Sequence, residues 1–233
     1  MKKLLSVVAS LFILPVVAFA STNISDDFRD HYTANSNLSA YNKDINTLIG
    51  LNDFHTGKAT SFPGFDIGAT FGGVKVGSKN DISSEDYMFT PFITAETLVP
   101  VINTTVALRG SAFNGFESIG VGLKYDYNVL ELFDVTLAGF YDRAKTDWYT
   151  TDHLSFSAVA SATVLFLTPY LGVGYDYGDL STRKMATNRS TSDQAARWTA
   201  GLRVSPLPLF YVFGAYTQTA SNAGFQAGVG LNF

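Results

Sequence analysis

Cysteine is absent from this chain of 233 residues. That excludes disulfides, thiolate metal sites, a cysteine nucleophile and a lipid-modified N-terminal cysteine. Positive charge is scarce: 16 Lys and Arg stand against 20 Asp and Glu, a net charge of −4. With no basic run, nucleic-acid binding has no electrostatic footprint, and no nucleic-acid partner is expected. Beyond residue 20 no apolar stretch reaches the length of a membrane helix. Charged residues make up only 15% of the chain, while Gly, Phe and Tyr number 20, 19 and 12. Aromatics and glycine with little charge suit strands that face an apolar medium on one side.

The N-terminus carries Lys2 and Lys3, then an apolar run from Leu4 to Phe19 ending at Ala18-Phe19-Ala20. A charged start, a short apolar stretch and a small-x-small site make residues 1–20 a secretory signal peptide, with the mature chain starting near Ser21. Without Lys2 and Lys3 the balance is 14 basic against 20 acidic residues.

Residues 21–63 are a polar leader rich in Asn, Asp and Ser. Within it Leu38, Tyr41, Ile45, Leu48 and Ile49 recur at helical spacing. Ser36 or Asn37 is positioned to cap that helix and Gly50 to end it, while Pro63-Gly64 breaks the chain after it. Its apolar stripe lacks a Lys/Arg-rich opposite face, which argues against a membrane-surface helix. We expect it to plug the mouth of the β-structure formed by residues 64–233; an amphipathic foot and a free leader are the alternatives.

From Gly64 to Phe233 the period changes to two. Ile119, Val121, Leu123, Tyr125 and Tyr127 alternate with Gly120, Gly122, Lys124, Asp126 and Asn128. The same alternation runs through Phe65–Gly72, Leu171–Gly178, Arg197–Val204 and Phe225–Phe233. One face is apolar and the other is glycine or polar, the inverse of a soluble sandwich. Only a closed barrel lets strands cross a bilayer without unpaired backbone groups. The expectation is an all-β, up-and-down antiparallel transmembrane barrel. Ten strands fit best, with eight or twelve if a hairpin is split or merged. Short turns are expected near Val99-Pro100, Leu130-Glu131, Leu167-Thr168-Pro169 and Pro206-Leu207-Pro208. Longer loops are expected at 77–88, 142–153 and 178–194.

This threading places an aromatic girdle at each rim: Tyr141, Tyr175, Tyr177 and Trp198 at one, and Phe65, Tyr125, Tyr127, Tyr211 and Phe233 at the other. It points Asp66, Glu96, Arg109, Lys124, Asp126, Asp142, Asp176, Arg197 and Arg203 into the lumen. Such a lining either closes a narrow barrel by pairing its charges or selects solutes.

The last residues, Gln226-Ala227-Gly228-Val229-Gly230-Leu231-Asn232-Phe233, resemble the C-terminal assembly signal of bacterial outer-membrane proteins. Gln226, Gly228, Leu231 and Phe233 occupy its polar, Gly, apolar and terminal aromatic positions. The resemblance implies a closing strand read by the barrel-assembly machinery. It implies an address in the outer membrane, with lipid and lipopolysaccharide as neighbours. It identifies no functional family.

Chemistry-bearing residues are few. Asp152-His153, behind Asp147, resembles the acidic and His residues at the rim of omptin-like proteases, and an Asp–His pair can activate a water. His153 and Ser155, two apart on a strand, resemble the pair of lipid A deacylases, with no orienting Glu in sight. His31 and His55 are isolated in the leader, and the acidic loop 79–86 lacks the tight spacing of a calcium loop. No metal or other cofactor is expected. The leading functional reading is a non-enzymatic narrow channel, plugged or gated by the leader, for a small solute the sequence does not name. A sealed structural or adhesive surface barrel is the first alternative, with the Ser/Thr/Asn-rich loop 181–193 as its contact surface. An outer-rim hydrolase is the second.

Overall fold

The computed structural model describes residues 23–57, 64–102, 104–130 and 133–233. The expected signal peptide and the Pro63 break lie outside the described residues. Ten strands, β1 (Phe65–Lys75), β2 (Tyr87–Val99), β3 (Thr104–Phe113), β4 (Phe116–Leu130), β5 (Phe133–Lys145), β6 (Tyr149–Ala162), β7 (Leu167–Thr182), β8 (Ser190–Leu207), β9 (Phe210–Thr219) and β10 (Ala223–Asn232), pair in sequence order. β1 also pairs antiparallel with β10, so the sheet is a closed barrel. Backbone bonds between Phe65 and Phe233 complete the seam, at 3.0 and 2.8 Å. Closure leaves no edge strand, the condition for crossing a bilayer with sheet.

Side-chain alternation sorts the two faces. Ile119, Leu123, Tyr127, Ile93, Phe156 and Leu171 point outward and are exposed, an apolar belt that water would not tolerate and lipid would. Inward positions are small, polar or charged. β3 and β4 meet in the two-residue turn Asn114-Gly115, both at positive φ (47° and 74°), the geometry that matches strand twist in tight hairpins.

Three boundaries differ from the sequence expectation. The β6–β7 turn lies at 163–166, with Leu165 at φ 57°, and Pro169 sits inside β7 near its start, where a missing N–H is tolerated. The segments 142–153 and 178–194 are mostly strand, with only 146–148 and 183–189 as loops. β7 and β8 are 16 and 18 residues long, more than a bilayer needs. Their polar ends continue the ladder beyond the apolar belt and wall in the leader.

The leader itself holds two helices. α1 (Ile24–His31) starts at Asn23, whose side chain accepts from the amides of Ser25 and Asp26 at 3.0 and 3.2 Å. α2 (Leu38–Gly50) starts at Asn37, which accepts from the Ala40 amide at 3.1 Å, and runs into a single 3-10 turn, Leu51–Asp53. The helical spacing of the apolar residues marks α2. α1 has too few apolar residues for periodicity to reveal it.

Candidate functional site

The leader occupies the barrel lumen. Asn23 lies beside the turn at Gly115, on the end of the barrel that carries the loops. Gly57 lies beside Ser161, on the end of the short turns. The segment therefore runs from the loop end to the turn end, where β1 begins.

Near the loop end the contacts are apolar. Leu38, Tyr41, Ile45, Leu48 and Ile49 of α2 are all buried, in one cluster with Phe28, Phe92, Phe116, Tyr149 and Leu180. Phe28 packs its ring 5.0 Å from Tyr41 and 4.8 Å from Tyr149, and the Tyr41 and Tyr149 hydroxyls bond at 3.1 Å. Asp27 accepts from the Ser83 and Ser84 hydroxyls, and Asp81 accepts from the Asn37 amide at 2.8 Å. The acidic loop 79–86 thus meets the leader.

The polar face of α2 is read by the wall. Asp44 accepts from the Gly77 amide (3.0 Å), Asn80 (2.7 Å) and Asn222 (2.6 Å). Burial raises its pKa, and these three hydrogen bonds only partly oppose that rise. Several wall positions lack a side chain where the leader passes. A Cβ at Gly178 would stand 1.9 Å from Asn46 Oδ1, and one at Gly172 2.4 Å from the Phe54 ring.

At mid-depth six ionisable side chains close a ring of alternating charge. Asp53, from the leader, receives Arg109 of β3 at 2.9 Å and Arg197 of β8. Arg109 grips Asp142 of β5 with two bonds of 2.7 and 2.5 Å. Arg197 donates to Asp176 of β7 at 2.8 Å. His153 of β6 joins the two remaining acids, Nδ1 3.3 Å from Asp142 and Nε2 3.3 Å from Asp176. All six side chains are 0–1% exposed. Asp53 lies between two guanidiniums, and Asp142 and Asp176 each lie between a guanidinium and the imidazole; the ring is neutral when the imidazole holds both protons. Burial alone would raise the Asp53 pKa, but Arg197 and then Arg109 override it and hold the carboxyl below the ordinary carboxylate range. Ser157 adds a bond to Asp53 at 2.6 Å. The ring fits because Gly120 and Gly174 cede their side-chain space to Asp142 and Arg197.

A second polar layer lies toward the turn end. Lys124 pairs with Glu96 at 2.6 Å. Asp66 accepts from Tyr211 at 2.6 Å and Asn232 at 3.2 Å, with His55 of the leader 3.6 Å away. His55 stacks on Tyr211 at 5.0 Å, and Arg203 lies 3.7 Å over the same ring. Asp126 and Gly57 O both meet the Thr136 hydroxyl. Gln226 donates to Phe54 O at 3.2 Å, so the first position of the C-terminal signal also holds the leader. Leu231 and Phe233 face outward, and Gly228 makes room for Phe213.

Of the nine polar residues expected in the lumen, Asp66, Glu96, Arg109, Lys124, Asp142, Asp176 and Arg197 are buried, and Asp126 and Arg203 are half-buried beside Thr136 and Tyr211. Of the girdle set, Phe65, Tyr125, Tyr127, Tyr141, Tyr175, Tyr177 and Trp198 are exposed on the outer wall. Tyr211 is the exception and corrects the expectation: it is turned inward and 1% exposed. Inward glycines at 68 and 230 leave the volume its ring fills, and Asp66 gives its hydroxyl a partner. Asp53 carries no signal in the sequence. It lies in the 3-10 turn beyond the helical repeat of α2, and its partners lie 56 and 144 residues away.

The residue pairs read for a rim hydrolase are not assembled at the rim. Successive strand residues face opposite sides. His153 is sealed in the ring, whereas Asp152 points out, 43% exposed, and accepts from Tyr141 at 2.6 Å. Ser155 shares the inward face with His153 but is buried, and its hydroxyl has no hydrogen-bond partner among the described residues. Neither pair offers a base and nucleophile to a substrate at the rim.

No family model matches the chain, and no curated protein matches it. Solved structures do. An outer-membrane channel from Pseudomonas putida F1 superposes with a TM-score of 0.54 at 9% identity, covering 77% of this chain and 100% of that one. The translocator domain of the autotransporter NalP from Neisseria meningitidis gives a TM-score of 0.50 at 13% identity, covering 85% and 98%. At such identities the likeness is one of fold: this chain is a closed, ten-stranded, antiparallel barrel of the kind found in bacterial outer membranes.

Proposed function

We propose that the chain is a non-enzymatic outer-membrane channel held shut by its own N-terminal segment, residues 23–57 acting as the plug. The observation that carries this reading is Asp53. It is the leader's contribution to a charge ring whose other five members come from the wall. With the leader in place the lumen is filled; without it the wall would present Arg109, Arg197, Lys124, Glu96, Asp142 and Asp176 around a glycine-lined passage. Such a lining suits small polar solutes and discriminates by charge.

A second reading has its own support. Six apolar leader residues, Phe28, Leu38, Tyr41, Ile45, Leu48 and Ile49, are buried at the loop end. At about 1.5–3 kcal/mol each, exposing them costs roughly 10 kcal/mol or more. That favours a permanent seal and a surface protein that acts through its loops.

Single-channel recording separates the two. The refolded chain is compared in a planar bilayer with a variant lacking residues 23–57, with folding of both checked by heat-modifiable gel mobility. A plugged channel gives rare openings in the full chain and large steady ones in the variant. A permanent seal gives silence in the full chain under every voltage and solute tested. A folded variant that also stays silent removes the plug from both accounts.

A further inference from the structure

A groove of about 290 Å³ indents the outer wall near the loop end, lined by Lys75, Tyr87, Phe89, Tyr216, Ala223 and Phe225, with Gly224 in its floor. Strand register explains it. Tyr216, Phe225, Gly73 and Phe89 stand side by side across β9, β10, β1 and β2. Gly73 has no side chain, so the Phe89 ring leans over it, where a Cβ would meet that ring at 2.5 Å. Phe89 also stacks on Phe71 at 5.6 Å and meets Phe225 edge-on at 5.9 Å. This folded-down aromatic layer leaves a hollow above it, bounded by Lys75, Tyr87 and Ala223.

The hollow lies at girdle height. Tyr216, in its wall, packs 5.7 Å from Trp198, and both are exposed on the outer face. Rings of this kind sit at the level of lipid headgroups. At the top stands Lys75, exposed, with no carboxylate within 4 Å among the described residues. The Tyr87 hydroxyl beside it has no partner among the described residues either, and is free to donate. A cation and a donor over an apolar hollow that opens sideways to lipid complement one kind of molecule, an amphiphile with an anionic head and an acyl tail.

We propose that this groove binds a phosphorylated acyl lipid of the surrounding leaflet. The phosphate sits against the Lys75 ammonium and the Tyr87 hydroxyl. The first part of one acyl chain lies over Phe89 and Phe225. The proposal rests only on the barrel's spanning a membrane, and it is independent of whether the leader is a plug.

The test is native mass spectrometry of the folded full-length chain, released from detergent in the presence of dioleoyl phosphatidic acid. Diolein, which lacks the phosphate, and inorganic phosphate, which lacks the chains, are run in parallel. The expected result is a retained phosphatidic acid adduct, with little diolein or free phosphate. The adduct should weaken about fivefold in Lys75→Ala, the effect of one basic contact at a membrane surface. It should weaken also in Ala223→Trp, which fills the hollow from a lipid-facing position and leaves the lumen untouched. Gel mobility confirms that each variant is folded. Equal retention by the native chain and both variants overturns the proposal, as does diolein bound as well as phosphatidic acid. Free phosphate competing at similar concentrations overturns the lipid assignment.

Discussion

Asn46 of α2 stands where residue 178 of β7 would carry a side chain. A Cβ there would be 1.9 Å from Asn46 Oδ1, and the Gly178 carbonyl accepts from Asn42 at 3.0 Å, one helical turn away. Helix and strand share the space of one residue, so a side chain at 178 and the seated leader exclude each other.

Gly178→Leu should therefore push the leader out of register while leaving the outward face of β7 unaltered. The expected outcome is a folded barrel with more frequent openings in planar bilayers, and faster tryptic cleavage at Lys43. Native-like protection of Lys43 would show that the helix can slide to accommodate the new side chain.

Removing one member of a buried ion network leaves its partners uncompensated, a cost of about 3–5 kcal/mol. Asp53→Ala should incur a cost of that size, because Arg109 and Arg197 both lose an acceptor. Denaturant midpoints of the protein folded into lipid vesicles measure it. Adding Arg197→Met to Asp53→Ala should recover part of the loss, since one buried cation is then gone.

The leader's acids predict resistance to mild acid. Asp53 is held below the ordinary carboxylate range, so its contribution is present above the unfolded pKa and disappears only as pH falls through the depressed folded value. Asp44 has the opposite sense. Its pKa is raised by burial, so its contribution is full below the ordinary value and is lost as pH rises through the raised one. Neither acid releases the leader between neutrality and about pH 4. Conductance recorded across that range should stay at its neutral level. Opening at about pH 5 would place the controlling group elsewhere.

The direction of the leader is open to a labelling test made clean by the absence of cysteine. Asp30 of α1 is exposed at the loop end, and Val101 is exposed in a turn at the opposite end. In intact cells a membrane-impermeant maleimide should label Asp30→Cys and spare Val101→Cys until the outer membrane is breached. The reverse pattern would invert the orientation assigned from loop length.

How much of this was legible in the sequence depends on which force shaped each part. The strands were legible because lipid and lumen impose opposite demands on alternate residues, as in Ile119–Tyr127. Their upper ends were not, because beyond the belt both faces are polar and residues 142–153 look like loop although most of them are paired. Tyr211 departs from the expectation because an aromatic at a rim normally faces lipid. Only the glycines at 68 and 230, from two other strands, reveal an inward hollow. Alternation assigns four ring members, Arg109, Asp142, Asp176 and Arg197, to the lumen face, but it does not reveal the ring. Its geometry exists only after barrel closure brings β3, β5, β6, β7 and β8 around the leader, and its leader member, Asp53, lies just past the helical repeat.

Closure also sets an order of events. Asp53 is held by residues of β3 and β8, the latter 144 positions along the chain. Its socket does not exist until most of the wall has been built. The segment first in sequence is thus last to be secured, at the loop-closure cost of long sequence separation. On the plug reading, the two guanidiniums would face an aqueous interior until the leader docks, and the nascent barrel would be a water-filled hole in the membrane over that interval.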